Sequence, residues 1–322
     1  MRAVILLALA TGCYGPSHPD DVQGDGPQGD GLQADGPPTG GDGPGCGPEF
    51  CGDGIDGDCQ GDPDPTCPSN DGPETPIDVS AGGLFNGDVR FAHDDAAPGC
   101  TPPGGRDLFF QLTLPRQEVV YLDTIAYPVA TFDTALSIRQ GTCTSLGSEL
   151  ACNDDSCSGL QSQLAVELAG GTYCVIVDQA SPGQYYGGFV LHVVLGGRTG
   201  THIVPGAVGV NGDTCGALDD SAPETNCGAL GGLDAAYWFT LCDGHTYSIT
   251  ADTCTSEFDS LVYLRKGSSS NPSLACDGEG CSPNGMIAAV IPPDEVPGLF
   301  WLIVDGASLS SCGTYHLSAN IE

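Results

Sequence analysis

Polar and hydrophobic residues alternate along several short stretches in the C-terminal three-quarters of the chain. Strict alternation puts every second side chain on one face, which is typical of a β-strand with one buried face. Clusters of glycine, proline and aspartate separate these stretches, and none of them shows a long helical period. The pattern predicts an all-β protein. The apolar positions of three stretches are Leu108, Phe110, Leu112 and Leu114; Leu136 and Ile138; and Leu164, Val166 and Leu168.

Residues 86–195 and 211–321 correspond to each other in order and spacing, which indicates an internal duplication. Several short strands within about 110 residues favour a β-sandwich. We therefore predict two tandem sandwiches, at 79–196 and 205–322. The clearest correspondences are Asp-Leu-Phe-Phe-Gln-Leu at 107–112 with Asp-Ala-Ala-Tyr-Trp-Phe at 234–239, and the motif Leu-Ala-Cys-x4-Cys at 150–157 and again at 274–281.

The first repeat contains four motifs in a fixed order. They are Phe-Asp-Thr-Ala-Leu-Ser-Ile-Arg-Gln-Gly at 132–141, Leu-Ala-Cys-Asn-Asp-Asp at 150–155, Gly-Thr-Tyr-Cys-Val-Ile-Val-Asp at 171–178 and Gly-Phe-Val-Leu-His-Val at 188–193. In order and spacing this set resembles the bacterial pre-peptidase C-terminal domain, and the second repeat resembles it more distantly. The resemblance implies a small jelly-roll-like β-sandwich that accompanies secreted enzymes, especially proteases, and surface proteins. Some relatives bind calcium or insoluble polymers such as collagen.

The N-terminus has the pattern of a secretory signal. Two residues, Met-Arg, precede an eight-residue apolar run at 3–10, which is too short to span a bilayer as a helix. The sequence Ala-Thr-Gly before Cys13 resembles the lipobox of bacterial lipoproteins, which implies cleavage after residue 12 and lipidation of Cys13. Several acyl chains on one residue are enough for stable membrane anchoring. An ordinary signal peptide with an incidental cysteine is the alternative.

A Gly/Asp/Pro-rich segment follows, at 13–45, and contains no lysine or arginine. It has too little apolar surface to fold and its like charges repel, so we predict a disordered acidic stalk. The whole chain has 42 acidic and 8 basic residues and a formal net charge of −34. A chain of this charge cannot cover a phosphate backbone, which excludes nucleic acid as a partner.

Residues 46–72 form a Cys/Asp-rich segment with candidate metal ligands. Oxygen-bearing side chains occupy alternate places of an incomplete calcium loop, and Gly61 stands at its sixth place. Cys67 stands at the last place, where a calcium loop has glutamate. The segment resembles short metal-binding motifs in surface proteins of myxobacteria. A zinc–thiolate site and a metal-free pair of disulfides are the alternatives. The candidate ligands are Asp56, Asp58, Gln60, Asp62 and Asp64.

The sandwiches contain a second set of candidate calcium ligands, at turns where strand ends bring oxygen atoms together. In the first repeat these are Asp133, Asn153, Asp154 and Asp155, and in the second they are Asp259, Asp277 and Glu279. The alternative is that these side chains cap their own turns, as Asp and Asn commonly do.

The 17 cysteines indicate an oxidising compartment. Without Cys13 they divide into four in the stalk, five in the first repeat and seven in the second. The two odd numbers imply either a disulfide between the repeats or two free thiols. The recurring short loops predict the disulfides Cys152–Cys157 and Cys276–Cys281.

The chain contains no His-Glu-x-x-His, Gly-x-Ser-x-Gly or phosphate-loop motif. We interpret it as a non-catalytic, lipid-anchored protein of the cell envelope, most simply an outer-membrane lipoprotein at the surface or in the periplasm. Its sandwiches would bind an extracellular protein or polysaccharide, with calcium as a cofactor. One alternative is a calcium-binding protein acting through the 46–67 motif. The other is an accessory protein of a secreted hydrolase system. Trp238 and Trp301 are expected in a sandwich core.

Overall fold

A computed structural model describes residues 50–52, 65–125, 130, 132–157, 159–181, 187–224, 227, 232–242 and 244–322. The predicted signal segment, the stalk, Cys13 and the five ligands of the 46–72 motif lie outside these residues. The described chain has eighteen strands and one 3-10 turn, Pro293–Glu295, so the all-β prediction is confirmed. No helix within it is long and apolar enough to cross a membrane.

The first unit contains strands β1 to β9. Their bounds are β1 Ile77–Asp78, β2 Gly83–Asp88, β3 Asp107–Leu114, β4 Glu118–Asp123, β5 Thr134–Gln140, β6 Glu149–Asn153, β7 Gln163–Leu168, β8 Gly171–Gln179 and β9 Gly188–Leu195. They form sheet I, in the order β1-β3-β8-β5-β6, and sheet II, in the order β2-β9-β4-β7.

The second unit contains strands β10 to β18. Their bounds are β10 Thr201–His202, β11 Ala207–Asp213, β12 Ala235–Leu241, β13 Tyr247–Asp252, β14 Ser260–Lys266, β15 Ser273–Asp277, β16 Met286–Ile291, β17 Gly298–Gly306 and β18 Thr314–Ile321. Sheet III has the order β10-β12-β17-β14-β15 and sheet IV the order β11-β18-β13-β16. Each order repeats that of sheet I or II, strand for strand, which confirms the duplication.

Each unit is a β-sandwich with its own core. Inward-facing residues of sheets I and II, among them Leu108, Phe110 and Leu122, form the first core. Those of sheets III and IV, among them Phe239 and Phe300, form the second. The prediction of two tandem β-sandwiches is confirmed.

A third apolar cluster joins the two sandwiches. Val119 and Tyr121 project from the outer face of sheet II and are fully buried. They belong to one cluster with side chains of the outer face of sheet III, so the sheets stack in the order I, II, III, IV. The sheet III members are Ala236, Trp238, Leu261, Tyr263, Leu299, Trp301 and Ile303. Trp238 and Trp301 are therefore buried, as predicted, but between the sandwiches and not within one.

The two end faces of this stack differ. On the outer face of sheet I, Phe109, Cys174 and Ile176 are buried beneath Cys143 and Ala96. On the outer face of sheet IV, alternate residues are open to solvent. Met286 and Val290 of β16 have 49% and 68% of their surface exposed.

The predicted disulfides Cys152–Cys157 and Cys276–Cys281 are wrong, although all four cysteines are bridged. Cys152 lies in β6 and bonds to Cys100, and its repeat counterpart Cys276 bonds to Cys227. Cys157 lies beyond β6 at a positive φ of 58°. A short loop thus joins cysteines that belong to different elements, so their sulfur atoms face different neighbours.

The counterparts Cys157 and Cys281 have partners in different places. Cys281 bonds to Cys254 within the second sandwich. Cys157 bonds to Cys242, also of the second sandwich, so this disulfide links the two units. It accounts for the odd numbers of cysteines in the two repeats. The other bridges in the described residues are Cys51–Cys67, Cys143–Cys174 and Cys215–Cys312.

Gly196 tests the interface between the sandwiches. A Cβ atom at this position would lie 2.7 Å from the Trp301 ring and 2.8 Å from the Val119 carbonyl oxygen. We expect Gly196→Ala to lower the free energy of unfolding by about 1–3 kcal/mol through overpacking, measured by urea denaturation.

Gly216→Ala is the matched control, because a Cβ atom there meets nothing within 4 Å. It is expected to leave stability unchanged or slightly raised. Equal effects of the two substitutions would contradict the packing of Val119 against Trp301.

Candidate cation-binding sites

One group of potential metal ligands joins the Cys/Asp-rich segment to the first sandwich. It consists of Cys51, Cys67, Asp71 and His93, whose ligand atoms all lie within 4.8 Å of one another. Asp71 Oδ2 lies 2.7 Å from His93 Nδ1, and Asp71 Oδ1 accepts a 2.8 Å hydrogen bond from the His93 backbone N–H. The Cys51 sulfur lies 3.7 Å from Asp71 Oδ2.

The chemistry of this group depends on its two cysteines. Two thiolates with a histidine and a carboxylate make a donor set typical of zinc. Here Cys51 and Cys67 form a disulfide, and a bridged sulfur is not a thiolate ligand. The group is therefore a disulfide packed against an Asp–His pair in the oxidised protein. No sequence signal pointed to Asp71 or His93, because Asp71 follows the last place of the calcium-loop spacing and His93 belongs to the first sandwich.

Residues 50–52 make further contacts with the first sandwich. The Cys51 backbone N–H donates to the Phe91 carbonyl oxygen at 3.0 Å. Phe50 stacks on the His93 ring at 6.0 Å between centroids, and the Arg106 guanidinium lies 4.4 Å from the centre of the Phe50 ring. These contacts hold residues 50–52 against the first unit.

A second group, Glu224, Cys227 and Cys276, is structural. The two cysteines are bridged to each other. Burial favours the neutral form of Glu224, but hydrogen bonds from Ser273 and the Arg265 charge outweigh it and lower the pKa of Glu224. Its Oε1 accepts the Ser273 N–H at 2.8 Å. The negative charge of the Glu224 carboxylate is therefore already balanced by groups of the protein itself, among them the Arg265 guanidinium.

Of the four ligands predicted in the first sandwich, Asp133, Asp154 and Asp155 lie close enough for their charges to interact. Burial raises the pKa of Asp133, and the negative charges of Asp155 and Asp154 raise it further. Asp133 Oδ1 is buried and has no hydrogen-bond partner among the described residues. Asn153 is engaged elsewhere, since its Oδ1 accepts the Gln163 N–H at 3.2 Å.

The counterparts in the second sandwich are arranged differently. Burial raises the pKa of Asp259, and the negative charge of Glu279 raises it further. Asp277 caps a turn: its Oδ1 accepts backbone N–H groups of Glu279 at 2.9 Å, Met286 at 3.2 Å and Gly280. Within the described residues, neither predicted set forms a group of three His, Cys, Asp or Glu ligand atoms as close as the two groups above.

No family model matches the chain, and no curated protein matches it. Among solved structures, the CUB1-EGF-CUB2 domains of rat MASP-1 share 11% identity with it at a TM-score of 0.20, covering 76% of this chain and 98% of that chain. The tail fiber protein gp63.1 from an E. coli phage shares 11% identity at a TM-score of 0.22, covering 66% of this chain and 35% of that chain. At these TM-scores the likenesses carry no inference about function.

Asp277 as a turn cap and Asp277 as a metal ligand predict different responses to substitution by asparagine. A turn cap needs only the Oδ1 acceptor, so Asp277→Asn is expected to retain most of the stability. Asp277→Ala leaves the turn N–H groups without their acceptor and should cost about 1–3 kcal/mol in urea denaturation. Glu279→Ala, at an exposed position of the same turn, is the control and should cost less. Equal losses for Asn and Ala at 277 would indicate that the carboxylate charge matters, as in a metal ligand.

Proposed function

We propose that this chain is a non-catalytic, lipid-anchored surface protein that presents two joined β-sandwiches as one binding module. The observation that supports it most is the order of the sheets. The described chain enters the first sandwich through β1, at the edge of sheet I, and the solvent-open face belongs to sheet IV. Three inter-sheet spacings separate these layers, which is about 30 Å. A tether on one side and an open face on the other suit display.

The open face of sheet IV has a surface suited to a macromolecule. Its residues mix apolar, hydroxyl and amide groups with one imidazole and two carboxylates. Such a surface fits an extracellular protein or a polysaccharide. The alternate positions are Met286, Ala288 and Val290 of β16; Ser248, Thr250 and Asp252 of β13; Thr314, His316, Ser318 and Asn320 of β18; and Ala207, Gly209, Asn211 and Asp213 of β11.

The disulfides support an oxidising compartment. Seven bridges among the described residues, one of them between the sandwiches, are typical of proteins in an oxidising environment. We place the protein in the bacterial cell envelope, as an outer-membrane lipoprotein anchored through Cys13. The motifs at 132–193 support a domain of the pre-peptidase C-terminal type in the first repeat, and the duplication supports a second one. Calcium at Asp133, Asp154 and Asp155 would stabilise the first sandwich by offsetting their repulsion.

Cys13 tests the anchor. Expressed in a bacterium that processes lipoproteins, the full chain is expected to enter the detergent phase of a Triton X-114 partition, because its acyl chains insert into micelles. Cys13→Ser is expected in the aqueous phase. If the unsubstituted chain also stays in the aqueous phase, the segment is an ordinary signal peptide and the anchor proposal fails.

The open face is tested by sedimentation with insoluble collagen and with chitin. We expect the mature chain to bind at least one of them, and Met286→Glu with Val290→Glu to weaken that binding at least tenfold by placing charge on the face. Leu309→Glu is the matched control, because Leu309 is 70% exposed but lies outside sheet IV. Binding to neither polymer, or equal loss in the control, would contradict this assignment of the surface.

A further inference from the structure

Two buried aspartates face each other on the outer side of sheet I. Asp107 of β3 and Asp178 of β8 are directly paired across the sheet, and their exposed fractions are 0% and 2%. Asp107 Oδ2 accepts the backbone N–H groups of Asp95 at 2.9 Å and Ala96 at 2.8 Å. The Oδ1 atoms of Asp107 and Asp178 are both buried without a hydrogen-bond partner among the described residues.

A third unpartnered oxygen lies on the same face. Ser137 of β5 is fully buried, and its Oγ has no hydrogen-bond partner in the described chain. Its register places it diagonally across from Asp178, since Ala135 pairs with Asp178 and Ser137 with Ile176. Two carboxylate oxygens on paired residues, and one hydroxyl oxygen on the neighbouring strand of the same face, are each buried and unsatisfied. Such burial is costly unless something binds them.

The second sandwich has the same acid pair with its charge balanced. Asp234, the counterpart of Asp107, accepts backbone N–H groups of Asp220 and Ser221, both at 2.8 Å. These two amides correspond to those of Asp95 and Ala96. Asp234 also forms an ion pair with the guanidinium of Arg198, whose side chain is nearly buried.

Asp305, the counterpart of Asp178, is satisfied as well. Its Oδ1 accepts the Gly232 N–H at 2.7 Å, and its Oδ2 accepts the Tyr263 hydroxyl at 3.0 Å. Tyr263 stands where the first unit has Ser137. The second unit therefore supplies a cation at Asp234, and a phenol and a backbone N–H at Asp305. In the first unit the Oδ1 atom of each aspartate has no partner among the described residues.

The charges around the first pair make a cation more favourable still. Burial raises the pKa of Asp107, and the charges of Asp178 and Asp95 raise it further. Burial also raises the pKa of Asp178, and the Asp94 charge adds to that rise. Each of these neighbours is negative, in a chain with 42 acidic and 8 basic residues.

We propose that the first sandwich binds a calcium ion between Asp107 and Asp178, with the Ser137 hydroxyl as a third ligand, where the second sandwich has the Arg198 guanidinium. The donors are all oxygen atoms, and Ca²⁺ accepts carboxylate, hydroxyl and water oxygens in flexible geometry, whereas Mg²⁺ demands a near-ideal octahedron. This site is distinct from the predicted cluster of Asp133, Asp154 and Asp155, and it does not depend on what the open face binds.

The test is a calorimetric titration of Ca²⁺ into the mature full-length chain, stripped with EDTA and dialysed. Asp178→Asn is expected to lose one equivalent of bound calcium, or to bind that equivalent at least tenfold more weakly. Asp305→Asn is the matched control in the other repeat and should keep the wild-type stoichiometry. Asp155→Asn reports on the predicted cluster separately and should not remove this equivalent.

A stability measurement covers the case in which Asp178→Asn folds poorly. Calcium at a hundred times its Kd raises the ratio of folded to unfolded protein about 100-fold. Asp107→Asn keeps the shape of the pair and removes one charge. It should melt at a higher temperature than the unsubstituted chain in EDTA, and calcium should raise its melting temperature less.

Two results would overturn the proposal. One is an unchanged calcium stoichiometry in both Asp178→Asn and Asp107→Asn. The other is a wild-type chain that binds no calcium at millimolar concentration, because the buried pair would then be held by a shared proton and not by a metal.

Discussion

The apolar packing between sheets II and III decides how the rest of the molecule is arranged. Val119 and Tyr121 of one sandwich and Trp238 and Trp301 of the other are removed from water by the same contact. Burial of this kind is the largest favourable term in protein association. Because it uses one face of each sandwich, it leaves sheet I on the side where the chain enters and sheet IV open to solvent. The Cys157–Cys242 disulfide closes the same junction covalently.

Duplication produced two copies of one scaffold, and the neighbours of each copy explain where their side chains differ. On sheet III the outer face packs against the first sandwich, and it has Tyr263 and Trp301. At the corresponding positions of sheet I are Ser137 and Cys174, and Cys174 is bridged to Cys143. The inward-facing residues remained apolar in both copies because each core still had to be filled. The outer faces were free to diverge toward packing in one copy and toward the proposed cation site in the other.

The sequence predicted the strands and the two sandwiches because a period-two pattern such as Leu108 to Leu114 depends only on which face is buried. It did not predict the contact between the sandwiches, since a buried Trp301 has the same pattern in a core as in an interface. It misassigned the disulfides because the separation of Cys152 and Cys157 along the chain says nothing about side-chain direction. One member of the acid pair was visible in the sequence, because Asp107 and Asp234 stand at matching places in the two repeats. Its unequal charge balance appears only when Arg198 is placed in three dimensions.

The central claim is that the two sandwiches share one buried interface and unfold as a unit. Differential scanning calorimetry of the mature chain, with its disulfides intact, tests this most directly. Coupled sandwiches should give a single transition in which the calorimetric and van't Hoff enthalpies agree. Two resolved transitions, each with about half of the total enthalpy, would show that the sandwiches unfold independently and would contradict the claim.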